Sequence, residues 1–251
     1  MNRTQKRLII LAEHYETTAF LNGDPSWFMH QVESSRNQET IALIASSLSY
    51  GNRKLFMPRI QLLLDLSGGR PYDWILNGEY QAAIPDDNTC FYRLQTHHHI
   101  RELLRAIRQV FKEYGSIGNY VRSQAATGPE AVDAITRYFR RYDVGHLIPK
   151  NSRSCCKRVC MFLRWMVRTG SPVDLGLWTF IDKNTLIMPL DTHVLEEAVR
   201  LKLIRSKSTT MSTAIRLTEE LRKTFKDDPL RGDFALFGYG IASEGGPSRK
   251  S

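Results

Sequence analysis

The 251-residue sequence has few cysteines and no long apolar segment. No C-x-x-C pair occurs among its four cysteines, so neither a zinc ribbon nor an iron–sulfur loop is indicated, and we expect no metal and no cofactor. A chain of this length buries a core without disulfides, and we expect reduced thiols packed as small apolar groups. The apolar run 8–12 is too short for a signal-peptide core or a membrane span. We therefore predict a cytoplasmic protein that does not contact a membrane.

Strand signals are also scarce, because apolar residues recur mainly at helical spacing. Only residues 184–188 offer a short strand-like stretch. After an opening amphipathic helix marked by Leu8 and Tyr15, helices are predicted at 39–50, 57–66, 97–113, 117–125, 129–142, 154–168, 192–203, 209–226 and 230–238. No linker or repeat divides the chain, so we predict one all-α domain over residues 1–242 and a disordered tail over 243–251.

The positive charge of the chain is concentrated in one segment. The sequence has 35 Lys and Arg against 26 Asp and Glu, a net charge of +9. Residues 140–168 contribute +7 of this charge, because they contain eight basic residues and a single acid, Asp143. The eight are Arg140, Arg141, Lys150, Arg153, Lys157, Arg158, Arg164 and Arg168. A local excess of this kind indicates a polyanionic partner at one surface.

A polar turn inside this segment is suited to hold a phosphate. The turn joins two predicted helices, and Ser152 or Ser154 can cap the second helix, leaving its first amide N–H groups free. Lys150 and Arg153 flank that helix end. Fixed donors and positive charge that converge on one point bind phosphate well.

The helix after the turn is predicted to carry a basic stripe. Lys157, Arg164 and Arg168 share one face with Met161. The opposite face is predicted to be core and consists of Val159, Phe162, Leu163 and Met166. An ordinary solvated helix face is the alternative, but such a face usually mixes signs, and residues 154–168 contain no acid. We therefore favour a surface that faces nucleic acid.

An aspartate begins another predicted helix further along the chain, in the segment 188–194. Asp191 or Thr192 is a natural N-cap, and capping alone can explain the aspartate. In the functional interpretation, Asp191 also stands at the mouth of a cleft and faces Lys157. A lysine is nucleophilic only when it is deprotonated, so burial or cationic neighbours must lower its pKa. A nearby carboxylate can accept the proton or stabilise a developing sugar cation.

Several of these segments resemble known families. The helix start Pro-Leu-Asp-Thr-His-Val, 189–194, resembles the aspartate motif of the helix–hairpin–helix DNA glycosylases, the endonuclease III-like superfamily. Residues 39–52 are similar to their early helix with its polar, DNA-probing turn, and Lys157 matches the catalytic lysine of the bifunctional members. The 34-residue spacing from Lys157 to Asp191 is most similar to the archaeal 8-oxoguanine glycosylase branch. Residues 156–168 and 233–241, with Pro-Leu-Asp-Thr-His, also resemble an uncharacterised bacterial family of the DUF2400 type, over nearly the whole chain.

The glycosylase resemblance implies a two-lobed helical fold with a helix–hairpin–helix element and a cleft between the lobes. The middle lobe would span roughly 40–150, and the N-terminal and C-terminal helices would form the other lobe. The partner implied is duplex DNA with a damaged base, which the enzyme extrudes and reads in a pocket. Lys157 would attack the sugar C1′ and form a Schiff base, and Asp191 would take the lysine's proton.

The resemblance also implies the residues that contact DNA. Tyr50 and Asn52 would enter the gap left by the extruded base, although a helix C-terminal turn with Gly51 in the left-handed conformation explains them equally well. The other implied contacts are Lys150, Ser152, Arg153, Ser154, Arg158, Arg164, Arg168 and His193. Phe234, Phe237 and Tyr239 can line a stacking pocket or belong to the core.

The sequence departs from the superfamily at the hairpin, where residues 149–154 lack the usual Gly-hydrophobic-Gly turn. Cation binding at the hairpin is therefore left open. The endonuclease III cysteine cluster is absent as well, which implies no iron–sulfur cofactor. Two other interpretations remain: a non-catalytic nucleic-acid-binding protein with the same fold, and a helical scaffold that binds an acidic protein. The lesion, RNA in place of DNA and the oligomeric state are also left open.

Overall fold

The computed structural model describes the chain over residues 1–244, with side chains described to residue 240. The first helices are α1 (Arg3–Tyr15), α2 (Ser35–Leu48), α3 (Arg53–Leu66), α4 (Pro71–Asn77) and α5 (Tyr80–Ala83). A short hairpin of β1 (Cys90–Tyr92) and β2 (Gln95–Thr96) follows. The remaining helices are α6 (His97–Tyr114), α7 (Ile117–Gln124), α8 (Gly128–Phe139), α9 (Lys157–Val167), α10 (Thr192–Arg200), α11 (Met211–Arg222) and α12 (Arg231–Glu244). Three 3-10 helices cover Thr18–Leu21, Pro25–His30 and Lys183–Thr185.

This architecture confirms the prediction of an all-α fold. Within residues 1–244, the antiparallel pair β1–β2 is the only sheet. The short strand-like stretch 184–188 forms no strand, because the segment starts as a 3-10 helix and continues as extended chain beside α11. There the Met188 N–H donates to the Thr218 hydroxyl at 3.0 Å, a side-chain contact in place of a strand partner. Of the tail predicted from residue 243, residues 245–251 lie outside the described part of the chain.

Helix positions agree with the sequence pattern better than helix ends do. Helix α3 begins at Arg53, four residues before the predicted start, because the Asn52 side chain accepts a hydrogen bond from the Lys54 N–H at 2.9 Å and caps the helix. Helices α4 and α5 were not predicted. Helix α4 is only seven residues long, begins at Pro71 and ends at Gly78 in the left-handed conformation, so it is too short to give a clear periodic pattern.

The core is organised around α2, whose residues from Glu39 to Leu48 are all buried. Helix α2 packs against α9, α3, α4 and the 3-10 helix at 25–30. Helix α1 packs along α12, and α12 also contacts α10. The start of α9, the start of α10 and one face of α12 therefore come together.

None of the helices within residues 1–244 combines the length and the apolar character that crossing a bilayer requires.

Candidate active site and its basic surroundings

A pocket of about 320 Å³ lies where α9, α10 and α12 meet. Its wall is part apolar and part charged. The apolar lining consists of Phe20, Met161, Pro189, Val194, Leu236 and Phe237. The polar lining consists of Asp24, Arg53, Lys157, Arg164, Asp191, His193, Glu197 and Asp233. Pockets that bind small organic groups commonly combine a mainly apolar wall with a few directed polar side chains.

Lys157 and Asp191 meet in the lining of this pocket. The Lys157 Nζ lies 3.0 Å from the Asp191 Oδ2, and the two side chains are 33% and 31% exposed. The other carboxylate oxygen of Asp191, Oδ1, accepts the Val194 N–H at 2.9 Å and caps α10. Asp191 therefore does both things that its sequence context allowed: it caps a helix and it faces Lys157.

The electrostatics of the pair keep Asp191 ionised. Burial by itself would raise the pKa of the Asp191 carboxyl, but the Lys157 ammonium and the Val194 N–H outweigh it, and the pKa lies below its usual value. At neutral pH the group is thus a carboxylate that forms an ion pair with the Lys157 side chain.

The start of α9 differs from its prediction. The helix begins at Lys157, and its N-cap is Cys156, whose φ of 46° is left-handed and whose side chain makes no capping bond. The expected cap by Ser152 or Ser154 is therefore wrong. The physical reason is that Ser154 pairs with Thr210 in an isolated antiparallel bridge, so the chain enters the helix only after that bridge. The first turn of α9 remains without a side-chain cap, and Lys157 occupies its first position.

The connection that precedes α9 is longer than the expected turn. Residues 140–156 join α8 to α9, which pack against each other. The connection contributes Val144, Leu147 and Ile148 to the core, while Lys150 and Arg153 are exposed. Ser152 is half-buried, and the exposed Ser154 contacts the Cys156 sulfur at 3.5 Å.

Two arginines of the predicted basic stripe are inside the protein. Arg164 and Arg168 are 3% and 1% exposed, so the expectation that they face a nucleic acid from the surface is wrong. Their guanidinium groups pair with four carboxylates from other segments. These are Glu16, Asp174, Asp228 and Asp233. The predicted core face of α9 is confirmed, since Val159, Phe162, Leu163 and Met166 are all buried.

The reason for this error lies in sequence distance. Two of the three acids that neutralise Arg168 are distant in sequence: Glu16 stands 152 positions before it and Asp228 stands 60 positions after it. The third acid, Asp174, stands 6 positions after Arg168, just beyond the acid-free run. A run without acids in the local sequence therefore does not identify an exposed face. As a result, the eight basic side chains do not all line one surface.

Arg158 is also engaged within the protein. Its guanidinium donates to the Ser47 carbonyl at 2.7 Å and to the His146 carbonyl. The same group lies 5.2 Å from the centre of the Tyr50 ring. Burial lowers the pKa of Arg158. Arg158 thus connects α9 to the end of α2, and a DNA contact by this residue remains untested.

The turn after α2 has the structural form that the sequence allowed. Gly51 has a φ of 76°, so the left-handed assignment is confirmed. The Tyr50 hydroxyl donates to the Tyr92 carbonyl at 3.2 Å, and Asn52 caps α3. Entry of Tyr50 and Asn52 into a DNA gap remains a prediction.

Other residues of the pocket can be compared with the sequence pattern. His193 is exposed and lines the pocket, Phe237 also lines it, and Phe234 is fully buried. Sequence reasoning missed Phe20, Asp24, Arg53, Glu197 and Asp233. Glu197 was within reach of helical periodicity, because it follows Asp191 and Val194 at intervals of three. Asp24 and Arg53 come from distant segments, and no local signal joins them.

No group of three or more His, Cys, Asp and Glu side chains within residues 1–244 is placed to hold a metal ion.

Comparison with known proteins identifies a family without an activity. A family model described as "Protein of unknown function (DUF2400)" matches residues 24–242. No curated protein and no solved structure gives a significant match to the chain.

Proposed function

This chain belongs to the DUF2400 family, and we propose that it is a DNA-binding base-excision glycosylase with abasic-site lyase activity through Lys157. The observation that supports the proposal is the Lys157–Asp191 pair, 3.0 Å apart at a pocket with an apolar wall. A nucleophile within hydrogen-bond reach of its base is the arrangement that covalent catalysis needs.

The proposed chemistry uses both members of the pair. Asp191 takes a proton from the Lys157 ammonium, and the freed amine attacks C1′ of the damaged nucleotide. The N–C1′ bond forms as the glycosidic bond breaks, and the base leaves with the bonding electrons and takes up a proton. Opening of the sugar ring then gives a Schiff base, which permits strand cleavage. Asp191 passes the proton that it took from Lys157 to the departing base, and the regenerated carboxylate then stabilises the positive charge of the protonated Schiff base.

In this proposal the pocket is the cleft that receives an extruded nucleotide. The middle lobe would lie on one side and the lobe of N-terminal and C-terminal helices on the other, with α8 and α9 as the helix–hairpin–helix element. Phe20 and Phe237, whose rings are 4.9 Å apart at the pocket, would contact the base. Extrusion costs a few kcal/mol, and it costs least at a damaged pair, which contributes to selectivity.

A non-catalytic DNA-binding protein is the second candidate, and one observation favours it. Asp191 already caps α10, so its ion pair with Lys157 can serve the fold alone. Substitution by Asn separates the two roles, because Asn caps a helix about as well as Asp and carries no charge.

Borohydride trapping on duplex DNA with an abasic site tests the proposal. The wild-type protein should form a covalent adduct, and Lys157→Ala should form none. Asp191→Asn should slow turnover by about 10²–10⁴-fold, the usual contribution of a proton-transfer group, without loss of folding stability. Lys112→Ala, at an exposed position on α6, is the matched control and should trap like the wild type.

The outcomes separate the candidates. DNA binding without trapping by the wild type refutes the lyase and leaves the binding protein or a lysine-independent glycosylase, which a base-release assay on a panel of lesions distinguishes. No DNA binding at all refutes the proposal and favours the scaffold for an acidic protein. Full activity of Asp191→Asn would restrict Asp191 to capping.

A further inference from the structure

We infer that residues 201–210, between α10 and α11, form a second phosphate-contacting loop that grips the same DNA backbone as residues 149–156. We call these the second loop and the first loop. The inference rests on the proposed DNA-binding function and adds to it a contact surface outside the basic segment of the sequence.

The second loop carries unpaired positive charge. Lys202, Arg205 and Lys207 are exposed, and residues 201–210 contain no acid. Among the side chains described, residues 1–240, no carboxylate lies within ion-pairing distance of any of the three cations. At the end of α11, by contrast, Arg222 and Lys223 each pair with a glutamate of that helix. Cations left without acidic partners beside well-paired ones are available to an external anion.

A backbone bridge joins the two loops. Ser154 of the first loop pairs with Thr210 of the second in an antiparallel bridge. Ser154 is three positions before Lys157, so an extended chain keeps the bridge within ~11 Å of that residue's backbone. Lys150 and Arg153 of the first loop are exposed as well and have no acidic partner among the side chains of residues 1–240. The bridge therefore holds the end of the second loop against the first loop, within that distance of the candidate active site.

The chemistry of the second loop fits phosphate better than a protein surface. Its exposed residues are the three cations with Ser208 and Thr209, while Ile204 is buried. The Ser206 and Ser208 hydroxyls lie 3.1 Å apart and add further donors. Lysine, arginine and hydroxyl side chains make most phosphate contacts in DNA complexes. Protein interfaces depend on buried aromatic or apolar anchors, and this loop exposes none.

The experiment compares two double variants of equal charge. Arg205→Gln with Lys207→Gln removes two cations from the second loop, and Arg70→Gln with Lys112→Gln removes two exposed cations near α4 and α6. Binding to a labelled duplex with a single abasic-site analogue is measured by anisotropy over a range of salt concentrations. Loss of two phosphate contacts should make the slope of log affinity against log salt less negative by about 1.8. The control pair should keep the wild-type slope.

Each result decides the inference. Equal slopes for the two double variants overturn it, even when wild-type protein binds and traps DNA as proposed. A selective slope change without any trapping supports the second loop and refutes the catalytic part of the proposed function. A wild type that does not bind DNA, or binds it without salt dependence, overturns both. Urea unfolding midpoints should be equal in both double variants, which excludes misfolding as the cause.

Discussion

Replacing Arg168 by leucine is the sharpest test of the buried ionic cluster. The guanidinium donates to Asp228 through Nε and Nη2, both at 2.8 Å, and to Glu16 at 2.6 Å. A third partner, Asp174, is fully buried and also pairs with Arg164. Leucine fills part of the same volume but leaves these carboxylates short of one positive charge.

The expected loss follows from burial. Removal of one partner from a buried ion pair costs about 3–5 kcal/mol, because the remaining charge has neither water nor counter-ion. In a chain of this size 1 kcal/mol corresponds to roughly 2–4 °C, so we expect Tm to fall by roughly 6–20 °C. The matched control is Arg137→Leu, whose guanidinium pairs with Asp133 at 2.7 Å between side chains about half exposed. An exposed pair contributes about 0–1 kcal/mol, so the control should lose at most ~4 °C.

Urea unfolding at several pH values provides the assay. At neutral pH the midpoint of Arg168→Leu should fall well below that of the control at an unchanged m-value. Burial raises the pKa of the Asp174 carboxyl, and without the Arg168 guanidinium one of the charges that lower it is gone, so in the variant this pKa lies above the unfolded value of about 3.9. The protonated carboxyl is therefore tolerated in the fold. The loss of unfolding free energy in the variant should shrink as the pH falls towards 5 and grow as the pH rises again. Equal losses in variant and control, or a deficit that does not change with pH, would refute the reasoning.

Two further predictions concern buried polar contacts and backbone strain. Glu39→Gln should lower the free energy of unfolding by about 1–3 kcal/mol. The Glu39 carboxyl group accepts the Trp178 indole N–H and two backbone N–H groups of α7, and the NH2 group of glutamine would face one of these donors. Burial raises the pKa of Glu39, so this residue's contribution to stability is complete below the unfolded pKa of about 4.3 and is lost as pH rises through the folded value. Urea unfolding of wild type and variant from pH 4 upward measures this pH-dependent contribution to the free energy of unfolding. Gly51→Ala should cost about 1–2 kcal/mol, because φ is 76° and a Cβ would meet the Arg93 guanidinium; a thermal midpoint equal to wild type would contradict this.

The sequence predicted best what depends on local spacing. The amphipathic pattern located most of the long helices, and the face of α9 that contains Phe162 and Met166 is buried as expected. The prediction that Lys157 and Asp191 belong to one site came from family resemblance and not from periodicity. The errors arise where distant segments decide the outcome. Nothing near Arg168 in the sequence indicates Glu16.

The ends of elements failed for a related reason. The start of α9 is set by the bridge from Ser154 to Thr210, 56 positions apart in the chain. Serine is a residue type that commonly caps helices, and Ser154 stands three residues before the start of α9. Its backbone, however, forms the bridge to Thr210, so it does not occupy the capping position. Local capping rules cannot anticipate such competition.

The order in which the chain is synthesised determines when the contact between Arg164 and Asp233 can form. The two pocket residues lie 69 positions apart, so at the usual rate of synthesis α12 emerges roughly 3–14 s after α9. During that interval the nascent chain carries Lys157 without the last wall of the pocket, and Arg164 has only Asp174 of its two carboxylate partners. Helix α12 contributes part of the pocket wall and also Asp233, which pairs with Arg164. Docking of this one helix therefore completes both the pocket and the ion pair in a single step. The order of synthesis thus delays the enclosure of Lys157 until the rest of the helical body has been made.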